Sequence, residues 1–460
     1  MRRALGVFLV GLVLVGTAAG ATIRGTARAD RIQAADGRRQ TIACGRALDT
    51  VNADLVDRVG SDCEIVARRI ARDTTSVAGA QHRTIVEPDS GAFGKTVVTA
   101  FQVGRVRGGG AGTIGWASSL DSGRTWRSGV LPGIGHASDP TVAFDAVHAV
   151  WLVVTLGITN GPTSLDVSRS SNGRTWSSPA HAVSAPASAF DKEWIACDNA
   201  AASPRRGTCY VAYTDLVTER IAVISSSDGG ITWSSPAPVG PRGDVVDGLP
   251  ATLPDGALVI AWLDGLSVLA ARSTNGGSSF EAPVTVAEMS ARSVPGLRAP
   301  PLPALDVDRS GRLLLVWPDC RFRAGCFAND IVLSTSADGV SWSAPARVTT
   351  GSGNYSTPGL GTDSVTNGIV VSAQVVPSGG CCTVGMAATV SRDGTGWLPT
   401  RRLDARTMSF DWLPVAENAS FLGDYLAASW VGGRPLAIVP IASRPRAGRF
   451  DQSLYAGIVR

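Results

Sequence analysis

Six short segments of this chain repeat the same residue types in the same order. Ser119-Leu120-Asp121-Ser122-Gly123-Arg124-Thr125-Trp126 returns as Ser226-Ser227-Asp228-Gly229-Gly230-Ile231-Thr232-Trp233 and as Ser273-Thr274-Asn275-Gly276-Gly277-Ser278-Ser279-Phe280. Versions one residue shorter run from Ser170 through Asn172 to Trp176, from Ser336 through Asp338 to Trp342, and from Ser391 through Asp393 to Trp397. In each, Asp or Asn is placed to accept from backbone amides ahead of it, and glycine supplies the positive φ of a tight reversal. The closing aromatic buries a large surface. Strand-like runs such as Ile221-Ala222-Val223-Ile224 and Ile331-Val332-Leu333 precede the copies. With 53 glycines, 26 prolines, twelve tryptophans and little helical periodicity, the chain is expected to be all-β.

These segments resemble the Asp-box, or BNR, repeat of the sialidase superfamily. The resemblance implies a β-propeller over residues 83–460, with each box joining the third and fourth strands of a blade, on the face opposite the active site. The closing aromatics stand 50, 57, 47, 62 and 55 residues apart, about 54 on average, so residues 83–460 hold seven such units. Seven blades are therefore expected, with the family's six as the alternative. The last unit reads as three strands without a box, around Ala427-Ala428-Ser429-Trp430, Pro435–Pro440 and Ser453–Val459. Ring closure then needs an N-terminal strand, or leaves that blade three-stranded.

Ahead of the propeller, Asp30-Arg31-Ile32, Gln40-Thr41-Ile42, Asp49-Thr50-Val51 and Asp57-Arg58-Val59 recur every eight to ten residues. Over residues 22–73 this resembles the nonapeptide repeat of RTX-type calcium-binding β-rolls. Arg28, Arg38 and Ala47 stand where that repeat has the glycine of its calcium-binding turn, and Gln40 replaces an aspartate. A degenerate roll is expected, without calcium or any other cofactor. Residues 74–82 read as a linker.

Met1-Arg2-Arg3, an apolar run to Gly16 and small residues to Ala21 read as a signal peptide over residues 1–21, cut after Ala19 or Ala21. The run is too short to span a bilayer. A secreted, soluble monomer is expected, and a net charge of +4 gives no case for nucleic acid. Eight cysteines in an exported chain suggest disulfides, with Cys44–Cys63, Cys197–Cys209, Cys320–Cys326 and Cys381–Cys382 as the local pairs, although sequence does not fix connectivity. Zinc is disfavoured, because the four histidines lie away from these pairs.

By the family pattern, function sits where the chain enters each first strand: His82-Arg83-Thr84, Ser138-Asp139-Pro140-Thr141, Phe190-Asp191-Lys192-Glu193-Trp194, Asp247-Gly248-Leu249-Pro250, Pro301-Leu302-Pro303, Ser356-Thr357-Pro358 and Gly423-Asp424-Tyr425. The sialidase resemblance implies three arginines clamping a carboxylate, a tyrosine nucleophile activated by a glutamate, and an aspartate as acid/base. Tyr425 beside Asp424 is the best-placed tyrosine, unless its ring simply packs on a neighbouring blade. Asp191 and Glu193 form the candidate acid/base pair, unless Lys192 merely bridges them. Arg83, Asp139, Lys192, Arg321 and Arg323 are the candidate ligand-binding residues, the last two in the Cys320–Cys326 loop, where solvated arginines are the plainer reading. The family's Arg-Ile-Pro motif is absent. Two functions stay open: an exported propeller binding a glycan or other extracellular ligand, and a sialidase-type glycoside hydrolase.

Overall fold

A computed structural model describes residues 20–158, 163–186, 189–378 and 381–459, so the signal-peptide reading of residues 1–19 lies outside the described residues. The described chain has no α-helix; it is built from β-strands and two 3-10 turns, Ala324–Cys326 and Phe410–Trp412. None of its helices is long and apolar enough to cross a membrane.

One plan recurs along the chain as a β-propeller arrangement. A first strand leads by antiparallel pairing into a second and a third, and an Asp box turns the third into a short fourth. Thus Phe190–Cys197, Cys209–Asp215, Arg220–Ser226 and Ala237–Val239 pair in sequence order. The first strands pack side by side. Gln81–Phe93 lies against Ala137–Asp145, followed by Phe190–Cys197, Val245–Thr252, Ala304–Val307, Asn354–Thr362 and Ala427–Val431, which returns to Gln81–Phe93. The apolar faces of successive sheets meet in separate buried clusters, such as that joining Leu152, Val154, Val211 and Tyr213.

The boxes form as their residues dictate. Ser119 Oγ donates to Asp121 Oδ1 at 2.8 Å, and the same hydroxyl oxygen accepts from Gly123 N at 2.8 Å. Asp121 then accepts from Thr125 N at 2.8 Å, and Trp126 Nε1 closes on Gly123 O at 3.2 Å. Asp228 repeats this with Ser226 and Thr232, and Asn275 with Ser273 and Ser279. The shorter boxes at Asn172, Asp338 and Asp393 keep the serine-to-Asx bond. Trp126 and Trp176 are buried, and Trp233, Phe280, Trp342 and Trp397 pack against buried clusters.

The N-terminal segment joins the last sheet. Ile65–Ala71 pairs antiparallel with Gln452–Val459, outside Arg434–Ala442 and Ala427–Val431, which supplies the fourth strand that the boxless unit lacks. Its other edge continues in parallel through Thr50–Asp54 to Arg31–Gln33, while Thr22–Arg24, Thr41–Ala43 and Arg58–Val59 form a second parallel sheet. Carboxylates tie the successive layers together. Asp49 accepts from Asp30 N at 2.6 Å, Asp57 from Gln40 N at 2.8 Å, and Asp62 from Cys44 N and Gly45 N at 2.9 Å. All four expected disulfides are present: Cys44–Cys63, Cys197–Cys209, Cys320–Cys326 and Cys381–Cys382.

Candidate functional site

Strand alternation puts the starts of the first strands and the second-to-third loops at one end of the channel, here the upper end. The boxes and the first-to-second loops lie at the other. At the upper end five of these first strands share one irregularity. The register with the second strand slips between Val86 and Asp89, Ser138 and Thr141, Asp191 and Trp194, Val246 and Leu249, and Ser356 and Gly359. Inside each slip stands a non-glycine with left-handed backbone: Glu87 (φ 49°), Asp139 (44°), Lys192 (50°), Asp247 (68°) and Thr357 (51°). Such conformations cost about 1–3 kcal/mol each and cluster at functional sites. A bulge re-aims a side chain, and these bulges bring together residues from different sheets.

Lys192 is their centre. Its Nζ lies 3.0 Å from Asp424 Oδ2, 3.4 Å from Asp139 Oδ1 and 3.5 Å from Glu87 Oε1, and every one of these side chains is at most 7% exposed. Arg298 grips Asp424 with two bonds, at 2.7 and 3.0 Å, and reaches the exposed Glu417 at 3.1 Å. Arg105 stands 3.6 Å from Glu87 and donates to Gln102 Oε1 at 3.0 Å, while Gln102 donates to Glu87. Phe421 lies under both guanidinium groups, 4.5 Å from Arg105 and 5.5 Å from Arg298. Leu297–Arg298 and Ala419–Phe421 pair in parallel, so segments preceding two different first strands meet over this end.

Burial raises each of these carboxyls, and their charged neighbours decide the outcome. Asp424 is held down to about 2, because Lys192 and the bidentate Arg298 outweigh its desolvation. Desolvation wins at Glu87, raised to about 7, even against Lys192. It also wins at Asp247, raised to about 7, and at Asp191, raised to about 6, where a side-chain hydrogen bond with Asp139 adds to the shift. Burial pushes Glu193 well up too, and neither of its oxygens has a hydrogen-bond partner among the described residues. Lys192 stays protonated, its three carboxylate neighbours outweighing its own burial.

Several expectations need correcting. Arg83 is not at the channel: its side chain is 43% exposed and meets Asp451 at 3.3 Å. The position equivalent to Asp139 in the first sheet is Glu87, which His82-Arg83-Thr84 missed. Lys192 does not bridge Asp191 and Glu193; its ion pairs go to other sheets. Tyr425 is 4% exposed, its hydroxyl has no hydrogen-bond partner among the described residues, and its ring packs edge-on against Trp194 at 4.9 Å. Burial drives its pKa well up. Arg321 is bound to Asp319 at 2.7 Å and Arg323 to Asp330 and Gly351 O, so neither extends freely from the disulfide loop. Sequence reasoning passed over Glu87, Arg105 and Arg298. Val86-Glu87-Pro88 matches Ser138-Asp139-Pro140 and carried a signal, whereas Arg105 and Arg298 carried none.

Beside this cluster the upper end keeps a cleft of about 410 Å³, lined by Arg292, Arg298, Asn329, Ser356 and Glu417 among others. Ser356 is buried and its hydroxyl has no partner among the described residues.

No family model and no curated protein matches the chain. Solved structures do superpose on it. A protein of unknown function from Dyadobacter fermentans does so with a TM-score of 0.48 and 17% identity, over 70% of this chain and 98% of that one. A Hadza microbial sialidase gives 0.44 and 18%, over 70% of this chain and 66% of that one. The α-L-arabinofuranosidase Arb93A of Fusarium graminearum gives 0.37 and 15%, over 59% and 93%. The activities in these names are those proteins' own.

Proposed function

We propose that this chain is an exported, seven-bladed Asp-box propeller that binds a glycan or similar extracellular ligand at its upper end without hydrolysing it. The observation that carries this reading is the state of its cations. A sialidase-type clamp needs arginines free to meet a substrate carboxylate, and here the candidates are satisfied internally. Arg298 is committed to Asp424 and Glu417, Arg105 to Glu87 and Gln102, Arg321 to Asp319 and Arg323 to Asp330. Tyr425 lies beneath the surface with a raised pKa. The cleft lined by Arg292, Arg298, Ser356 and Glu417 offers polar surface at this end.

The ring of side-by-side first strands and the closure of the last sheet by Ile65–Ala71 support the seven-blade count. The stacked parallel strands ahead of it support a degenerate roll, in which carboxylates bond to backbone amides where a calcium-binding repeat would place the ion. An apolar leader and four disulfides support export. One observation favours the hydrolase reading: Asp139 and Asp191 share a hydrogen bond beside the unpartnered Glu193, the kind of coupled carboxyl group that divides proton transfers.

A fluorogenic sialoside assay separates the two readings. No turnover is expected from the wild type; turnover that disappears in Tyr425→Phe would overturn the binding reading. Glycan-array binding that weakens in Glu417→Ala would place the ligand in the upper cleft.

A further inference from the structure

The Lys192 network and Phe421 close the channel at its upper end, but below them it is open. A cavity of about 520 Å³ begins at the level of Asp89, Thr141 and Trp194 and reaches Asn199 and Ser364, in loops that follow first strands. Those loops lie with the Asp boxes. The cavity is therefore a blind well entered from the box end, opposite the cleft of the proposed function.

Its walls are not those of an apolar core. Asp89 and Asp306 are half-buried on the wall, in sheets that are not neighbours. Each is fixed by strand partners: Asp89 accepts from Val142 N at 2.7 Å and Thr141 Oγ1 at 3.0 Å, and Asp306 from Thr362 N and Oγ1 at 2.9 Å. Ser90 and Ser429 hydrogen-bond to each other across adjacent first strands at 2.7 Å. Trp430 also lines the well; it is 6% exposed, and its Nε1 has no acceptor among the described residues.

These features select among ligand classes. Half-buried carboxyls disfavour an apolar molecule, which would strip their hydration, and they repel an anion. A metal cation would want several oxygen donors converging, and among the described residues no group of three or more His, Cys, Asp or Glu is placed to hold one. A hydroxyl-rich ligand suits them, because its OH groups both donate and accept. The volume falls within the roughly 300–1,000 Å³ of small-molecule sites. We propose that this well binds a neutral mono- or disaccharide, entering from the box end and held between the Asp89 and Asp306 walls.

The full chain can be titrated calorimetrically with glucose, galactose, N-acetylglucosamine and lactose. Ala196 lines the well from the strand Phe190–Cys197, and Ala196→Phe fills the space without touching the Lys192 network. Ala304→Phe, on a different wall, serves if the first variant does not fold. We expect saturable binding of at least one sugar, weakened tenfold or more by either filling variant. Absence of binding by all four sugars overturns the proposal. So does binding insensitive to the filling variants.

Discussion

Lys192→Met removes the charge at the centre of the upper end while keeping a side chain of similar length. The three carboxylates left behind differ in what remains to them. Asp424 keeps both bonds from Arg298, and Glu87 keeps Arg105 at 3.6 Å. Asp139 keeps no ion pair among the described residues, only its hydrogen bond with Asp191. Removing one partner of a buried pair costs about 3–5 kcal/mol, because the other charge is left uncompensated. That range is the expected loss at pH 8. The variant can relieve it by binding a proton, since Glu87 already stands near 7 with the lysine present and rises further without it. A group whose pKa is raised in the folded state adds stability below its unfolded value and loses it as pH climbs through the folded one. The deficit should therefore shrink as pH falls from 8 through about 7, by about 1.4 kcal/mol for each pH unit over which the variant's folded state holds a proton that the wild type's has released. Urea denaturation of both proteins at pH 8 and pH 5 measures this. A variant as stable as wild type at pH 8 would refute the reasoning, because packing would then replace the lysine. An equal deficit at both pH values would refute it as well, because the carboxyls would not be titrating.

The wild type should itself lose stability between about pH 5 and 8. Burial raises Glu87 and Asp247 to about 7 and Asp89, Asp191 and Asp306 to about 6, so the folded state holds protons there that the unfolded chain has released; a melting temperature that climbs over this interval would contradict it. Asp121→Ala should cost about 1–2 kcal/mol through the lost box bonds. In the wild type, NMR titration should place the Asp121 carboxyl at about 2, since its bonds from Thr125, Ser119 and Arg124 outweigh its burial. Tyr425→Phe deletes a buried hydroxyl without a partner and should leave stability unchanged or raised by up to about 1 kcal/mol in thermal melts. Adding calcium to the full chain should not shift its melting temperature, because Asp49, Asp57 and Asp62 already accept backbone amides.

The boxes were legible in the sequence because each is a local object: serine, Asx, glycine and aromatic find one another within eight residues, whatever the rest of the chain does. The disulfides were legible for the same reason, since the longest loop they close has a separation of 19 residues. The first-strand bulges were half legible. Asp139-Pro140, Thr357-Pro358 and Asp247-Gly248 announce a left-handed residue before a breaker, and Glu87-Pro88 fits the same rule once Arg83 is given up. What the sequence hid was partnership. Lys192 meets residues 105, 53 and 232 positions away, and Arg298 meets Asp424 across 126. Such contacts exist only after the ring has formed, so nothing near Lys192 forecasts that its three acids come from other sheets. On the proposed binding function, this is also why the family pattern does not carry over at the upper end. First-strand starts converge in any propeller, but convergence makes a clamp only when cations face outward toward a ligand. Here the acids of the same ring outnumber the cations and bind them, so the machinery that could hold a substrate carboxylate holds the protein's own.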